Sequence, residues 1–362
     1  MRERPQQVAK TLDRQPVVAG LPRLRPEWVL AGVGAVVAAC AIGALSGPVR
    51  IPLRVVVEAV VSPSSAQVGV GPDANNLSIL WSLRFPRVVL GALVGAMLAT
   101  AGAAYQGVFR NPLADPYLLG SASGAVLGAT VAIVFASGGA VFGVSIVPAA
   151  AFAGAGMAVA VTYLLGSSLT GRRSTTTLIL AGVAVAAFLT SVQAYVQQVQ
   201  TESLRQVYSW ILGRLVTAGW DGVGLVAPYA AIGIAIILAH RRLLDAMAVG
   251  DEEVAGLGVS PRRVRLVVVA AATLCTAAAV AAGGAIGFVG IIVPHAVRMV
   301  FGTSYRVVLP MSMLLGGAFL VLADTAARTL ASPAEVPIGA ITAMVGAPFF
   351  LVLLRSTTVR EP

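Results

Sequence analysis

Polar and charged positions are sparse along this chain and fall at intervals that leave long apolar runs between them. The charge-free runs cover 28–49, 88–109, 117–171, 174–201, 222–240, 266–297, 307–323 and 336–354. A hydrocarbon core about 30 Å thick takes roughly 20 apolar residues per helical crossing, so each run predicts at least one transmembrane helix. Two runs are long enough for two. The run 117–171 is interrupted near "SGG" (137–139), and 266–297 by "GG" (283–284) with Pro294 beyond. The pattern therefore predicts ten helices. No ten-residue alternation of polar and apolar residues is visible, which argues against a closed β-barrel, and backbone groups in lipid leave no third choice.

Composition sharpens that picture. Apolar residues make up 57% of the 362 residues and charged ones only 11%, with a mean hydropathy of +0.88, whereas about a quarter of a soluble domain is charged. The expected class is all-α and polytopic. With an even number of crossings both termini share a side, and a cytoplasmic N-terminus puts 18 of the 25 basic residues on inner segments and 7 on outer ones. Orientation thus accounts for most of the +10 net charge; anionic lipid or an acidic partner is a secondary attraction, and nucleic acid is not needed. Residues 1–27 read as a flexible cytoplasmic tail and not a cleaved signal, and 356–362 as a short cytoplasmic one. Cys40 and Cys275 lie inside predicted crossings without metal-ligand spacing, so they read as packing residues.

The chemical inventory is thin. Neither His240 nor His295 has a second ligand at metal spacing, and Ser332 in "ASPAE" belongs to a turn, not a nucleophile elbow. The one lysine, Lys10, lies in the tail outside any glycine-rich loop, so no phosphate cradle forms around it. No catalytic, metal-binding or cofactor-binding residues are therefore expected on this chain. A secondary transporter would be expected to place ionisable groups in mid-membrane; the predicted crossings are nearly free of them, Asp324 near the outer end of the ninth being the main exception, so the driving energy is expected to come from elsewhere.

"FRNPLADPYLLGSASGA" (109–125) reads as a tight cytoplasmic corner between the second and third crossings. Pro112 and Pro116 punctuate the helices, Asn111 and Asp115 bond the freed backbone, and the small residues Gly120 to Ala125 permit close helix packing. Arg84 and Arg87 precede the second crossing on the outside, and Arg328 ends the ninth on the same side. Taken alone, each is a snorkelling interfacial cation. The fifth helix carries Ser191, Gln193, Tyr195, Gln197, Gln198 and Gln200 in its outer half. Helical spacing puts Ser191, Tyr195 and Gln198 on one face and Gln193, Gln197 and Gln200 on an adjacent one, suited to a water-filled path or to interhelical hydrogen bonding. The segment 241–263 predicts two short helices with a glycine turn, carrying Asp251, Glu252, Glu253, Ala255, Gly256, Leu257 and Gly258.

Several long blocks resemble the FecCD family of permease subunits, the membrane components of ABC importers for iron siderophores, haem and cobalamin. They are "LRFPRVVLGALVGAMLATAGAAYQGVFRNPLADPYLLGSASGA" (83–125), "LILAGVAVAAFLTSV" (178–192), "YSWILGRLVTAGW" (208–220), "GDEEVAGLGV" (250–259), "GAIGFVGIIVPHAVRMVFGTSYRVVLP" (284–310) and "EVPIGAITAMVGAPFFLVLLR" (335–355). The resemblance implies a type II importer architecture over residues 28–355, in the cytoplasmic (inner) membrane of a prokaryote. It implies two such subunits, identical or paralogous, around a central path, two ATPase subunits that use the ATP, and an extracytoplasmic substrate-binding protein. It further implies that 250–259 is the coupling loop to the ATPases and that Arg84, Arg87 and Arg328 meet acidic residues of the binding protein. One departure stands out, since the family often has a Phe-Trp and a Gly-Ser pair where this chain has Ser209-Trp210 and Gly213-Arg214. A secondary transporter working without an ATPase is the alternative from another class, and a membrane enzyme a third.

Overall fold

The computed structural model describes residues 24–49, 51–61, 73–136, 140–141, 144–168, 175–215, 219–256, 258–332 and 334–358. Most of the two tails, the "SGG" interruption and Leu257 lie outside the described residues. So do Arg50, Arg172 and Arg173, which entered the charge count.

Fifteen α-helices are described. They are α1 (Pro26–Leu45), α2 (Leu53–Val61), α3 (Ala74–Ile79), α4 (Phe85–Phe109), α5 (Ser121–Phe135), α6 (Ile146–Ser168), α7 (Thr175–Val199), α8 (Leu204–Ile211) and α9 (Gly219–Ala239) in the first part. Then come α10 (Arg241–Val249), α11 (Asp251–Gly256), α12 (Pro261–Gly283), α13 (Val289–Phe301), α14 (Tyr305–Thr329) and α15 (Ile338–Thr358). A two-residue antiparallel pairing of Ala140–Val141 with Val144–Ser145 precedes α6 and was not anticipated.

Seven helices are long and apolar enough to cross a membrane: α1, the run Ala74–Phe109, α6, α7, α9, α12 and α14. Three shorter apolar helices, α5, α13 and α15, occupy the remaining predicted positions. The protein is an all-α, multi-pass membrane protein. One boundary needs correcting. The second crossing does not start after Arg87, because α3, a five-residue π-helical turn (Leu80–Arg84) and α4 form one continuous 36-residue helical run. At 1.5 Å per residue this is about 54 Å, well beyond the hydrocarbon thickness. Both arginines are therefore helical.

Helix α4 is the axis of the molecule. Its sequence is apolar or small on every side, which is the signature of a helix buried all round, and every residue from Met97 to Phe109 is buried. Helices α1, α9, α12, α13 and α14 pack around it. Small residues make these approaches possible: a methyl group at Gly102 would collide with the Gly290 carbonyl of α13, and one at Gly95 with that of Gly316 in α14. In lipid, where burial of apolar surface no longer drives association, such backbone proximity is a main source of helix affinity.

Two crossings are preceded by a non-helical stretch that follows the helix before them. Residues 110–120 separate α4 from α5, and 284–288 separate α12 from α13, with "ATAGAAYQG" (99–107) and "AVAAGGAIG" (279–287) leading into them. The two stretches touch. Tyr117 donates its hydroxyl to the Ile286 carbonyl at 2.9 Å, and the Pro116 ring lies against Gly290. The break at "GG" is as predicted, with Gly284 at φ +77, whereas Pro294 sits inside α13 without ending it.

Candidate functional site

The 109–125 corner is built from the residues its composition suggests. Arg110 closes α4 in the left-handed region at φ 49, Asn111 Oδ1 accepts from the Leu113 amide at 2.9 Å, and Asp115 Oδ1 accepts from the Tyr117 amide at 2.7 Å. Ser121 at the start of α5 donates to the Pro116 carbonyl, and Gly124 packs backbone to backbone on Gly154 of α6. Burial pushes the Asp115 carboxyl up to about 6. These are the local side-chain bonds that let a chain turn in an apolar setting.

Arg110 also reaches sideways. Its Nε donates to the Met247 carbonyl of α10 and its Nη2 pairs with Asp251 at the start of α11. Asp251 is held from the other side by Arg265 of α12 at 3.2 Å. Asp245 of α10 accepts from the Ser304 hydroxyl at 2.9 Å and from the Tyr305 amide, and lies 3.4 Å from Arg306, all at the start of α14. Leu244, Met247 and Val254 are fully buried beneath. The short α10–α11 pair is thus clamped to α4, α12 and α14 at once, while Glu252, Ala255, Gly256 and Gly258 remain exposed. Gly258, at φ +76, makes the turn, and the space beyond Gly256 and Gly258 is open. Of the predicted coupling residues, Asp251 pairs with Arg110 and Arg265 while its side chain stays 46% exposed, and nothing is described for the Glu253 side chain.

At the opposite end of α4 a second ionic cluster forms. Arg87 donates to both Asp324 of α14 (2.9 Å) and Glu335 ahead of α15 (2.9 Å), and Arg328 pairs with Asp324 at 3.0 Å. Arg214 lies 3.7 Å from Glu335. Hydrogen bonding from Arg87 holds the Glu335 carboxyl below its usual range, so this tie is present above the ordinary glutamate pKa and is lost only as the pH falls through the lowered value.

The expectation that Arg84 and Arg328 sit on the surface needs correcting. They are 5% and 4% exposed. Arg84 donates to the carbonyls of Ala44, Leu45 and Val49, and Arg328 to those of Gly43 and Ser46, so together they satisfy the carbonyls left free at the end of α1. Sequence reading missed this role because the α1 end that needs the donors is 35 to 285 residues away along the chain. Arg87 alone of the three keeps a partly exposed edge.

The polar positions of α7 fall into two groups, with Gln200 apart from both. Ser191, Tyr195 and Gln198 are exposed, Tyr195 by 71%, in line with Leu180 and Phe188. Gln193 and Gln197 are half-buried, the Nε2 of Gln197 without a hydrogen-bond partner, and Gln200 lies exposed just past the helix end. Ser191 donates to the Ala187 carbonyl within its own helix. Helix α7 packs on α5 and α6, and among the described residues no other long helix packs on its remaining face. Among the described residues no group of three or more His, Cys, Asp or Glu is placed to hold a metal ion.

A family model for the FecCD transport family matches residues 35–356, nearly the whole described chain. The chain belongs to the FecCD transport family. Members of this family are non-catalytic transport subunits whose ATP is hydrolysed by separate subunits of the importer. The permease is 45% identical over 298 residues to the cobalamin import system permease protein BtuC of Halobacterium salinarum, covering 82% of this chain and 76% of that one. It is 39% identical to the Fe(3+)-citrate import system permease protein YfmD of Bacillus subtilis, over 76% of this chain and 81% of the relative. To the hemin transport system permease protein HmuU of Yersinia pestis it is 38% identical, over 76% and 83%. A solved structure of a metal-chelate type ABC transporter in an inward-facing conformation superposes with a TM-score of 0.78 at 27% identity, over 92% of this chain and all of that one.

Proposed function

We propose that the permease carries an iron chelate, haem or cobalamin into the cell, in a complex of two permease subunits, two ATPases and an extracytoplasmic binding protein. The α10–α11 pair is the seat of the ATPases and the Arg87 end receives the binding protein, which places the Arg110 end in the cytoplasm. The observation that carries this reading is the clamped helix pair. A loop with no mechanical task does not need ion pairs and hydrogen bonds to three transmembrane helices, whereas a lever does. Relatives of similar identity are named for cobalamin, ferric citrate and hemin, so the relatives leave the cargo open among these. The exposed stripe of α7 is the wall of the path, completed by the facing subunit. Asp324, the carboxylate a coupling ion would need, is neutralised by Arg87 and Arg328, which weighs against an ion-coupled carrier.

Proteoliposomes holding the permease with its ATPase and binding protein are the test, loaded in turn with labelled cobalamin, ferric hydroxamate, ferric citrate and haemin. Uptake of one of these that needs ATP and both partners is expected. Uptake by the permease alone down an imposed ion gradient would overturn the reading in favour of a secondary carrier.

A further inference from the structure

The cluster at the Arg87 end holds four arginines, Arg84, Arg87, Arg214 and Arg328, against two carboxylates, Asp324 and Glu335, and so carries a surplus of positive charge. The two carboxylates differ in kind. Asp324 is 2% exposed and fixed between Arg87 and Arg328 within α14. Glu335 is 27% exposed, stands in the non-helical residues ahead of α15, and is shared between Arg87 and Arg214. The cations differ as well. Arg84 and Arg328 are committed to carbonyls of the α1 end, whereas Arg214 is 45% exposed and loosely held, 3.7 Å from Glu335 and 3.4 Å from the Ser209 hydroxyl.

We propose that Glu335 is a built-in stand-in for a partner's carboxylate: in the free permease it occupies Arg87 and Arg214, and an acidic side chain of the extracytoplasmic binding protein displaces it on docking, received first by Arg214. This rests on the docking reading above and adds to it a receiving residue and an internal competitor. The exchange has a structural consequence. The residues after Glu335 are bonded to those before Arg214, the Ile338 amide to the Gly213 carbonyl and the Gly339 amide to the Leu212 carbonyl, each at 3.2 Å. Glu335 and Arg214 form a further tie across that same joint between α8 and α15. Removing Glu335 from Arg214 leaves those two backbone bonds holding the start of α15 to residues 212–213, so docking loosens this joint without breaking it. Partly exposed pairs of this kind exchange readily, because water and a new carboxylate replace much of what is lost.

The experiment measures association of the importer's own binding protein with the permease–ATPase complex in nanodiscs, as a function of salt, for the parent, E335Q and R214S. Removing the competitor should tighten association by about threefold to tenfold, and removing the receiving cation should weaken it by a similar factor and flatten its salt dependence. Association of the parent that E335Q leaves unchanged or weakens overturns the stand-in while the docking reading survives. Should E335Q not fold, R214S decides, since Arg214 is exposed and its loss leaves the buried pairs intact: unchanged association with R214S overturns the proposal. If no variant binds the protein at all, the docking reading falls and this inference with it.

Discussion

Asp115 illustrates how a single side chain can work against the fold that uses it. Its carboxylate accepts the Tyr117 amide and so shapes the 110–120 corner, yet burial raises its pKa to about 6. A carboxyl raised on folding favours the folded state below its ordinary pKa, and that advantage is lost as the pH rises through the folded value. An Asn at this position keeps the accepting oxygen and sheds the charge. D115N is therefore expected to melt higher than the parent at about pH 8, with the difference closing toward about pH 4; thermal unfolding in detergent across this range checks it, and a constant offset would refute it. Asp324 makes the opposite case, since it is the counter-ion that lets Arg87 and Arg328 lie inside the bundle. Removing one partner of such a group costs about 3–5 kcal/mol by leaving buried charge unpaired. D324A should accordingly lose much of its folded yield, and D324N should recover only part of it, read as monodisperse protein after extraction.

At the scale of the element, the legible and the illegible parts of the sequence separate by range. Each of the seven helices long enough to cross coincides with an apolar run, the Gly283–Gly284 break and the Asn111 and Asp115 turns followed from local chemistry, and so did the short α10–α11 pair. What was hidden is long-range. Nothing near Arg84 announces that its partners are carbonyls at the end of α1, and nothing near Asp251 names Arg110 and Arg265. Asp251 reads from sequence as a contact for the ATPases; its pairs with Arg110 and Arg265 add the alternative of a clamp. This distinction is testable. D251A should weaken the attachment of α10–α11 to α4 and α12, lowering substrate moved per ATP hydrolysed while the complex still assembles. A bulky β-branched residue at Gly256 should act differently: the site is open in the free chain, so G256V is expected to leave the permease folded and to impair ATPase assembly itself. Pull-down of the ATPase together with the ratio of uptake to hydrolysis separates the two; a D251A variant that fails to bind the ATPase but is otherwise folded would return Asp251 to the docking surface.

At the scale of the molecule, the polar half of α7 carries an exposed stripe, Ser191, Tyr195 and Gln198, that no other described helix covers. In hydrocarbon, a face bearing Ser191, Tyr195 and Gln198 beside Gln193 and Gln197 is costly, so either a second permease or water must cover it. Small-residue packing has already drawn α4, α12 and α14 into a core, and α7 stands apart from that core on α5 and α6, where a facing copy can meet it. In a variant with Cys40 and Cys275 replaced, cysteine at Tyr195 or Gln198 should react with a membrane-impermeant thiol reagent in at least one nucleotide state of the importer. Cysteine at Leu180, on the same stripe but in its apolar half, should react more slowly. Oxidation of the Tyr195 variant should also yield a cross-linked pair of permeases if the two α7 helices approach across the path. Protection of Tyr195 and Gln198 in every state, with no cross-linking, would mean that these side chains are covered by protein and that α7 does not line the route.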